Sequence, residues 1–117
     1  IVQYDIHGFG FTPWLALGRQ LDAWGARSAP HHYGGHVGNY TACHLAAAID
    51  RFALVEWDEA TTPGISAPGY SISEGKVRVP DTPGFGLALD DEVFRRALDD
   101  GGYIVAESSS GALPASS

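Results

Sequence analysis

The sequence is poor in the residues that mark several classes of protein. Its 117 residues include one cysteine, Cys43, so no internal disulfide framework can form and we expect a reducing, cytoplasmic compartment. Only 7 lysines and arginines face 14 aspartates and glutamates, and the net charge of −7 argues against nucleic acid or an anionic membrane as the partner. No apolar run approaches the roughly 20 residues that span a bilayer. The first residues lack the charged start and apolar centre of a signal peptide.

The composition and the residue pattern predict one modest α/β domain. Hydrophobic residues make up 44% of the chain and charged residues 18%, which is typical of a globular protein. Short β-rich runs alternate with helical patterns, in the order strand 1–6, helix 12–25, strand 26–30, helix 39–49 and strand 52–57. We expect Thr12 to cap the first helix and Gly25 to end it. This alternation predicts parallel strands joined by crossover helices over residues 1–60.

The second half has a different pattern. Residues 61–107 form a predicted C-terminal extension, with a small β-hairpin that turns at Glu74-Gly75 and a short helix capped by Asp90. Residues 80–89 between them are predicted to be an extended loop. Residues 108–117, "SSSGALPASS", are low in complexity and are predicted to be a flexible tail.

Three ionisable residues end the three predicted strands. Asp5, His31 and Glu56 are separated by 26 and 25 residues, close to one strand–helix repeat each. Because the carboxyl ends of parallel strands meet at one face, we expect their side chains to share a common mouth. An aspartate can hold an imidazole in one tautomer and raise its pKa. A glutamate that burial keeps protonated can donate or accept a hydrogen bond with a substrate oxygen. The set suits proton transfer at a carbon acid, although strand-end polar residues also serve purely structural roles.

The other histidines and the cysteine have competing interpretations. His31, His32 and His36 could bind zinc together, but adjacent histidines tend to point apart and no cysteine or acid flanks them at the usual spacing. His32 and His36 are instead expected to be solvated loop residues or to line a substrate pocket. Cys43 is expected to be a small core residue, since nothing nearby in the sequence would lower its pKa.

Several motifs together resemble a known family. The segments "IVQYDI", "APHHYGG", "GNYTACHLAAAI", "VEWDEATTPG" and "VRVPDTPGFGLALDDE" are similar to the C-terminal part of the enolase superfamily, of the mandelate racemase and acid-sugar dehydratase type. The resemblance covers roughly residues 1–98. It implies about three β/α units of a TIM-type barrel, followed by an extension that returns toward a capping domain.

The resemblance also implies roles for individual residues. The family abstracts a proton alpha to a carboxylate with the help of Mg²⁺. Carried over by motif, His31 is the general acid/base, chosen over His32 because it directly follows Pro30, and Asp5 is its dyad partner. Glu56 is the residue that hydrogen-bonds the substrate carboxylate. The remaining candidates, expected to contact substrate or support the mouth, are His32, Trp57 and Asp58.

The family's Mg²⁺ ligands and its lysine base lie on strands that would precede residue 1. We therefore expect no metal ligand in this chain, and we expect either a fragment of a larger enzyme or an assembly that supplies the remainder of the barrel and the capping domain. The expected substrate is a small carboxylate or acid sugar, and the expected assembly is a homo-oligomer. The leading hypothesis is a dehydratase whose isolated 117-residue chain is inactive. A racemase or epimerase, or a non-catalytic structural fragment, remains an alternative.

Overall fold

The computed structural model describes residues 1–33 and 35–101. It contains four helices and four short strands among these residues, namely α1 (Ile6–Phe9), α2 (Phe11–Ala23), α3 (His36–Ala48), β1 (Ile65–Ser66), β2 (Ser71–Ser73), β3 (Lys76–Arg78), β4 (Ala88–Leu89) and α4 (Asp91–Asp99). The predicted tail at 108–117 and the last residues of the predicted extension lie outside the described residues.

Three bridging segments, residues 2–5, 28–32 and 52–58, run parallel where the sequence predicted strands. Isolated parallel bridges join Val2 to Ser28, Asp5 to His31, and Ser28 to Phe52. The predicted parallel direction and the mixed α/β character are therefore confirmed. The predicted length of the strands is wrong, because each contact is a single bridge rather than a ladder of paired residues. The first segment also stops before Ile6, which already lies in helix α1.

The two long helices begin earlier than the sequence indicated. Helix α2 starts at Phe11 with Gly10 as its N-cap, so Thr12 lies inside the first turn and is not the cap. Gly10 has a φ of 95°, a conformation that glycine adopts readily and that turns the chain from α1 into α2. Helix α3 starts at His36, with Gly35 as its N-cap. Asn39, the predicted first residue of this helix, is buried one turn further along it.

The core lies between α1, α2 and α3. Its main members are fully or almost fully buried, namely Ile6, Trp14, Leu21, Leu45 and Ile49. Trp14 also donates its indole N–H to the carbonyl of Tyr4, at 3.0 Å, which ties α2 to the first bridging segment. The carboxylate of Asp22 accepts the backbone N–H groups of Asp50 and Arg51, and so fixes the turn between α3 and the third segment. These contacts fix the positions at which the three bridging segments end.

The C-terminal part is held differently. Strands β2 and β3 form the predicted antiparallel hairpin, and helix α4 is capped by Asp90, whose carboxylate accepts the N–H of Val93. The prediction of a loop at 80–89 is wrong at its end, because Ala88–Leu89 pairs with Ile65–Ser66 as a second two-stranded sheet. Within residues 1–33 and 35–101, no helix has the length and apolar character needed to cross a membrane.

Candidate active site

Asp5 stands where the first bridging segment meets α1. One carboxylate oxygen, Oδ1, accepts the N–H of Gly8 at 3.0 Å as the N-cap of α1. The other, Oδ2, lies 3.0 Å from Nδ1 of His31. The Gly8 hydrogen bond, followed by the one with His31, lowers the pKa of Asp5 below its usual 3.8. Because both oxygens are engaged, the carboxylate has a fixed orientation and remains an acceptor.

The contact with Asp5 decides which nitrogen of His31 is available for chemistry. A carboxylate can only accept, so the shared hydrogen belongs to Nδ1 and the neutral ring leaves Nε2 as its basic atom. The hydrogen bond to Asp5 raises the pKa of His31 above its usual 6.5, and the charge of Glu56 raises it further against the opposing effect of desolvation. The His31 side chain is 46% exposed.

Glu56 completes the group from the third segment. Its Oε2 lies 3.9 Å from Nε2 of His31, within ion-pair range but too far for a hydrogen bond. The same oxygen accepts the backbone N–H of His32 at 3.4 Å. The structure thus brings the three predicted catalytic residues together, with His31 between two carboxylates. Their catalytic roles stay predictions.

The three predicted substrate-binding residues occupy different surroundings. His32 is fully buried, and neither of its ring nitrogens has a hydrogen-bond partner among the described residues, so the prediction of a solvated loop residue is wrong. Trp57 packs its ring edge-to-face on Tyr40, with ring centres 6.0 Å apart. The backbone of Asp58 is bound by the side chain of Asn39. A role of His32, Trp57 and Asp58 in binding substrate stays a prediction.

Two further residues lie near the site. The Nε2 atom of His7, on α1, lies 3.1 Å from the carbonyl oxygen of His32 and so ties α1 to the residue after His31. No functional role was predicted for Asn39, which the sequence indicated only as the first residue of a helix. A polar residue among apolar neighbours on one helix face was the available signal, since buried polar side chains normally have a partner.

The remaining histidines and the cysteine have structural contacts. His36 is the first residue of α3 and not a loop residue; its Nδ1 accepts the N–H of Thr62, and its Nε2 bonds the hydroxyl of Tyr40. His44 bonds the hydroxyl of Tyr70. Cys43 is buried as predicted, and burial raises the pKa of its thiol to about 11. In the described part of the chain, no three His, Cys, Asp or Glu side chains are grouped so as to hold a metal ion.

One family model matches most of the chain. Residues 1–93 match the family described as enolase C-terminal domain-like. The chain belongs to this family. The family assignment therefore includes all three residues of the Asp5–His31–Glu56 group. No curated protein matches the chain.

Solved structures give a similar result. A mutant galacturonate dehydratase from Geobacillus sp., complexed with Mg, is 47% identical over 87% of this chain, with a TM-score of 0.81. The dehydratase complexed with D-galacturonate and 5-keto-4-deoxy-D-galacturonate is 48% identical over 86%, with a TM-score of 0.80. A mandelate racemase/muconate lactonizing protein from Geobacillus sp., complexed with magnesium/tartrate, has the same values. The chain spans only 26–27% of the length of these solved chains.

Proposed function

We propose that this chain forms the C-terminal part of the barrel of an acid-sugar dehydratase, and that it supplies the acid/base residue of the reaction. The observation that carries the proposal is the Asp5–His31 contact of 3.0 Å, which engages Nδ1 of His31 and leaves Nε2, 3.9 Å from Oε2 of Glu56, as the basic atom. The similarity to a galacturonate dehydratase, 48% identical over 86% of the chain, supports a uronic or aldonic acid as substrate.

The proposed reaction removes one molecule of water from the acid sugar. A base from the remainder of the barrel takes a proton from the carbon next to the carboxylate, the C–O bond at the neighbouring carbon breaks, and the expelled hydroxyl takes a proton to leave as water. The enol that remains becomes a keto acid. His31, protonated at Nε2 and held by Asp5, donates the proton to the departing hydroxyl or returns one to the substrate carbon. Glu56 has its Oε2 3.9 Å from Nε2 of His31. In its carboxylic acid form it would donate a hydrogen bond to the substrate carboxylate and so stabilise the charge that develops there.

A requirement for Mg²⁺ is part of the proposal because related structures are complexed with Mg. The residues described in this chain do not form a site for it, since no three suitable side chains are grouped among them. We infer that the ligands come from the remainder of the barrel. The described chain offers a surface for that remainder, a groove of about 740 Å³ between α3, the third bridging segment and the hairpin. Its lining is largely apolar and includes Leu54, Trp57, Ile72 and Val77.

A chimera tests the proposal most directly. The segment of the Geobacillus galacturonate dehydratase that matches this chain is replaced by residues 1–101, and turnover of D-galacturonate with Mg²⁺ is followed by formation of the keto product. We expect activity, and we expect His31→Asn to reduce kcat by roughly 10²–10⁴-fold while Mg²⁺ binding is unchanged.

The matched control is His44→Asn, which changes a histidine whose ring contacts Tyr70 and Phe85 rather than the site. It should leave kcat nearly unchanged. Normal turnover by His31→Asn, or a folded chimera that binds Mg²⁺ and turns over no acid sugar, would contradict the proposal. The second of these results would favour a non-catalytic structural fragment.

A racemase or epimerase is the second candidate, because one similar structure is a mandelate racemase/muconate lactonizing protein. Proton transfer by the same dyad, without loss of the hydroxyl, would invert the carbon next to the carboxylate. Product analysis of the chimera separates the two reactions, since inversion keeps the mass of the acid and dehydration lowers it by one water.

A further inference from the structure

The third bridging segment is poorly fixed near Glu56. Its last backbone hydrogen bond to the second segment is donated by Ala53 to Ser28, at 2.7 Å. Across the described ranges, no backbone-to-backbone hydrogen bond involves residues 54–57, and Glu56 is bonded to the second segment only through its side chain, which accepts the N–H of His32 at 3.4 Å. The path of the chain through Glu56 is therefore not set by strand pairing, and something else must hold it near His31.

The side chain of Asn39 holds the chain immediately beyond Glu56. Its Nδ2 donates to the carbonyl oxygen of Asp58 at 2.6 Å, and its Oδ1 accepts the N–H of Asp58 at 2.8 Å. Both backbone groups of one residue are thus bound by a single amide, as a neighbouring strand would bind them. Rotating the amide by 180° would place the Nδ2 group against the N–H of Asp58 and Oδ1 against its carbonyl oxygen, so only the observed orientation makes both hydrogen bonds.

The surroundings of Asn39 make this contact rigid. Its side chain is 1% exposed and lies on α3, which packs into the core. The next residue on α3, Tyr40, contacts the ring of Trp57, so two successive residues of the helix hold two successive residues of the segment. Glu56 is the residue that precedes them, with Oε2 at 3.9 Å from Nε2 of His31.

We propose that Asn39 is a positioning residue, which sets the place of Glu56 beside His31 through the backbone of Asp58. Asn39 is too deeply buried to contact a substrate, so it acts through Glu56 and is not itself catalytic. The catalytic importance of the position of Glu56 rests on the function proposed above. The geometry itself can be tested without turnover.

The test is a double-mutant cycle read from the titration of His31 by NMR in the 117-residue chain. Glu56→Gln alone should lower the pKa of His31, because the nearby negative charge is removed. Asn39→Leu, similar in size and unable to hydrogen-bond, should lower it in the same direction because Glu56 moves away. In the Asn39→Leu background, Glu56→Gln should then have little further effect. Exchange of the Asp58 amide hydrogen should become at least about tenfold faster.

A second variant covers the case in which Asn39→Leu does not fold. Asn39→Asp keeps the shape of the side chain and the acceptor for the Asp58 N–H, but it cannot donate to the Asp58 carbonyl. The effect of Glu56→Gln on the pKa of His31 is then measured within the Asn39→Asp background, so the charge added at position 39 is present in both chains and cancels. Thr41→Val is the matched control, because it removes a side-chain hydrogen bond on the same helix, to the carbonyl of Val37. It should leave the effect of Glu56→Gln as large as in the parent chain.

An undiminished effect of Glu56→Gln in either folded Asn39 variant would overturn the proposal. If the chain does not fold alone, the same cycle is read from the pH dependence of kcat/KM in the chimera, where Asn39→Leu should also reduce kcat by roughly 10–10²-fold. An inactive chimera with an intact NMR cycle would reject the proposed function and keep the role of Asn39. An active chimera in which the effects of the Asn39 and Glu56 variants on His31 are independent would keep the proposed function and reject the role of Asn39.

Discussion

The two halves of the described chain are built on different principles. Every buried residue lies between Ile6 and Ile49, where α1, α2 and α3 meet, and within the described residues none lies from 50 to 101. Residues 61–101 are shaped by turns, caps and two small sheets. The candidate site lies where these regions meet, because Asp5 and His31 come from the packed half and Glu56 from the segment that leaves it.

This difference teaches which interactions can position a catalytic group. Asp5 and His31 end segments that are bonded to each other through backbone contacts, with His31 N–H donating to Tyr4 and Ile6 N–H donating to His31. No backbone-to-backbone hydrogen bond supports Glu56 among the described residues; its side chain accepts the N–H of His32, and the side chain of Asn39 on α3 holds the backbone of Asp58 beyond it. The packed half therefore fixes the positions of Asp5 and His31, while an apolar groove of the kind that larger assemblies cover lies where α3 meets the third segment and the hairpin.

The largest expected effect comes from emptying the core of the packed half. Trp14→Ala should lower the free energy of unfolding by about 3–5 kcal/mol, because it removes a fully buried ring and the hydrogen bond to Tyr4. Trp24→Ala is the matched control on the same element, since Trp24 is the C-cap of α2 and is 70% exposed. It should change stability by no more than about 0.5 kcal/mol. Urea unfolding followed by circular dichroism measures both, and equal losses would contradict the place of Trp14 in the core.

The sequence predicted the packed half well wherever a local pattern decides the outcome. The parallel direction, the two long helices and the convergence of Asp5, His31 and Glu56 follow from the alternation and spacing of the segments. The N-cap of α2 was missed because Gly10, with its positive φ, takes the place that Thr12 would normally fill. The burial of His32 was missed because it depends on the close approach of Gly38 on α3, where an added Cβ would lie 2.9 Å from the imidazole Nδ1.

The C-terminal half was predictable only where turn chemistry is local. The hairpin followed from Glu74-Gly75, whereas the pairing of β1 with β4 joins residues more than 20 positions apart and leaves no periodic signal in such short strands. The bond between Asn39 and Asp58 was missed for the same reason, since it links a helix to a segment 19 residues away. Long-range polar contacts of this kind depend on the packed structure.

An intermediate effect is expected at the turn of the hairpin. Glu74 and Gly75 have φ values of 52° and 71°, the conformation of a type I′ turn that favours Asn-Gly. Glu74→Asn should therefore stabilise the hairpin by up to about 1 kcal/mol, because asparagine tolerates the left-handed conformation better than glutamate. Amide hydrogen exchange of Ile72 and Val77 measures this locally.

The control at the same turn is Gly75→Ala, which should destabilise the hairpin because a Cβ is strained at that φ. Neither variant should change the exchange of core amides such as that of Leu45. Parallel changes in the core would show that the two halves unfold as one unit, and would remove the distinction between them.

The smallest effect on stability, and the most informative about the site, is expected from Asp5→Asn. Asparagine still caps α1 by accepting the N–H of Gly8, so its amide NH2 takes the place of Oδ2 and the variant removes both the charge that faces His31 and the acceptor for the His31 Nδ1–H. Because the hydrogen bond to Asp5 is the main cause of the raised pKa of His31, that pKa should fall in an NMR titration. Asp81→Asn removes the same charge from an exposed position in the C-terminal half and should leave the titration of His31 unchanged.

The contribution of the Asp5–His31 contact to the free energy of unfolding depends on pH. The raised pKa of His31 contributes stability that is complete below its ordinary 6.5 and is lost as the pH rises through the folded value. The lowered pKa of Asp5 contributes stability that is complete above its ordinary 3.8 and is lost as the pH falls through the folded value. The deficit of Asp5→Asn should therefore be greatest between these two ordinary values and shrink on either side. A deficit that grows steadily toward alkaline pH would mean that Asp5 acts on something other than a protonated His31.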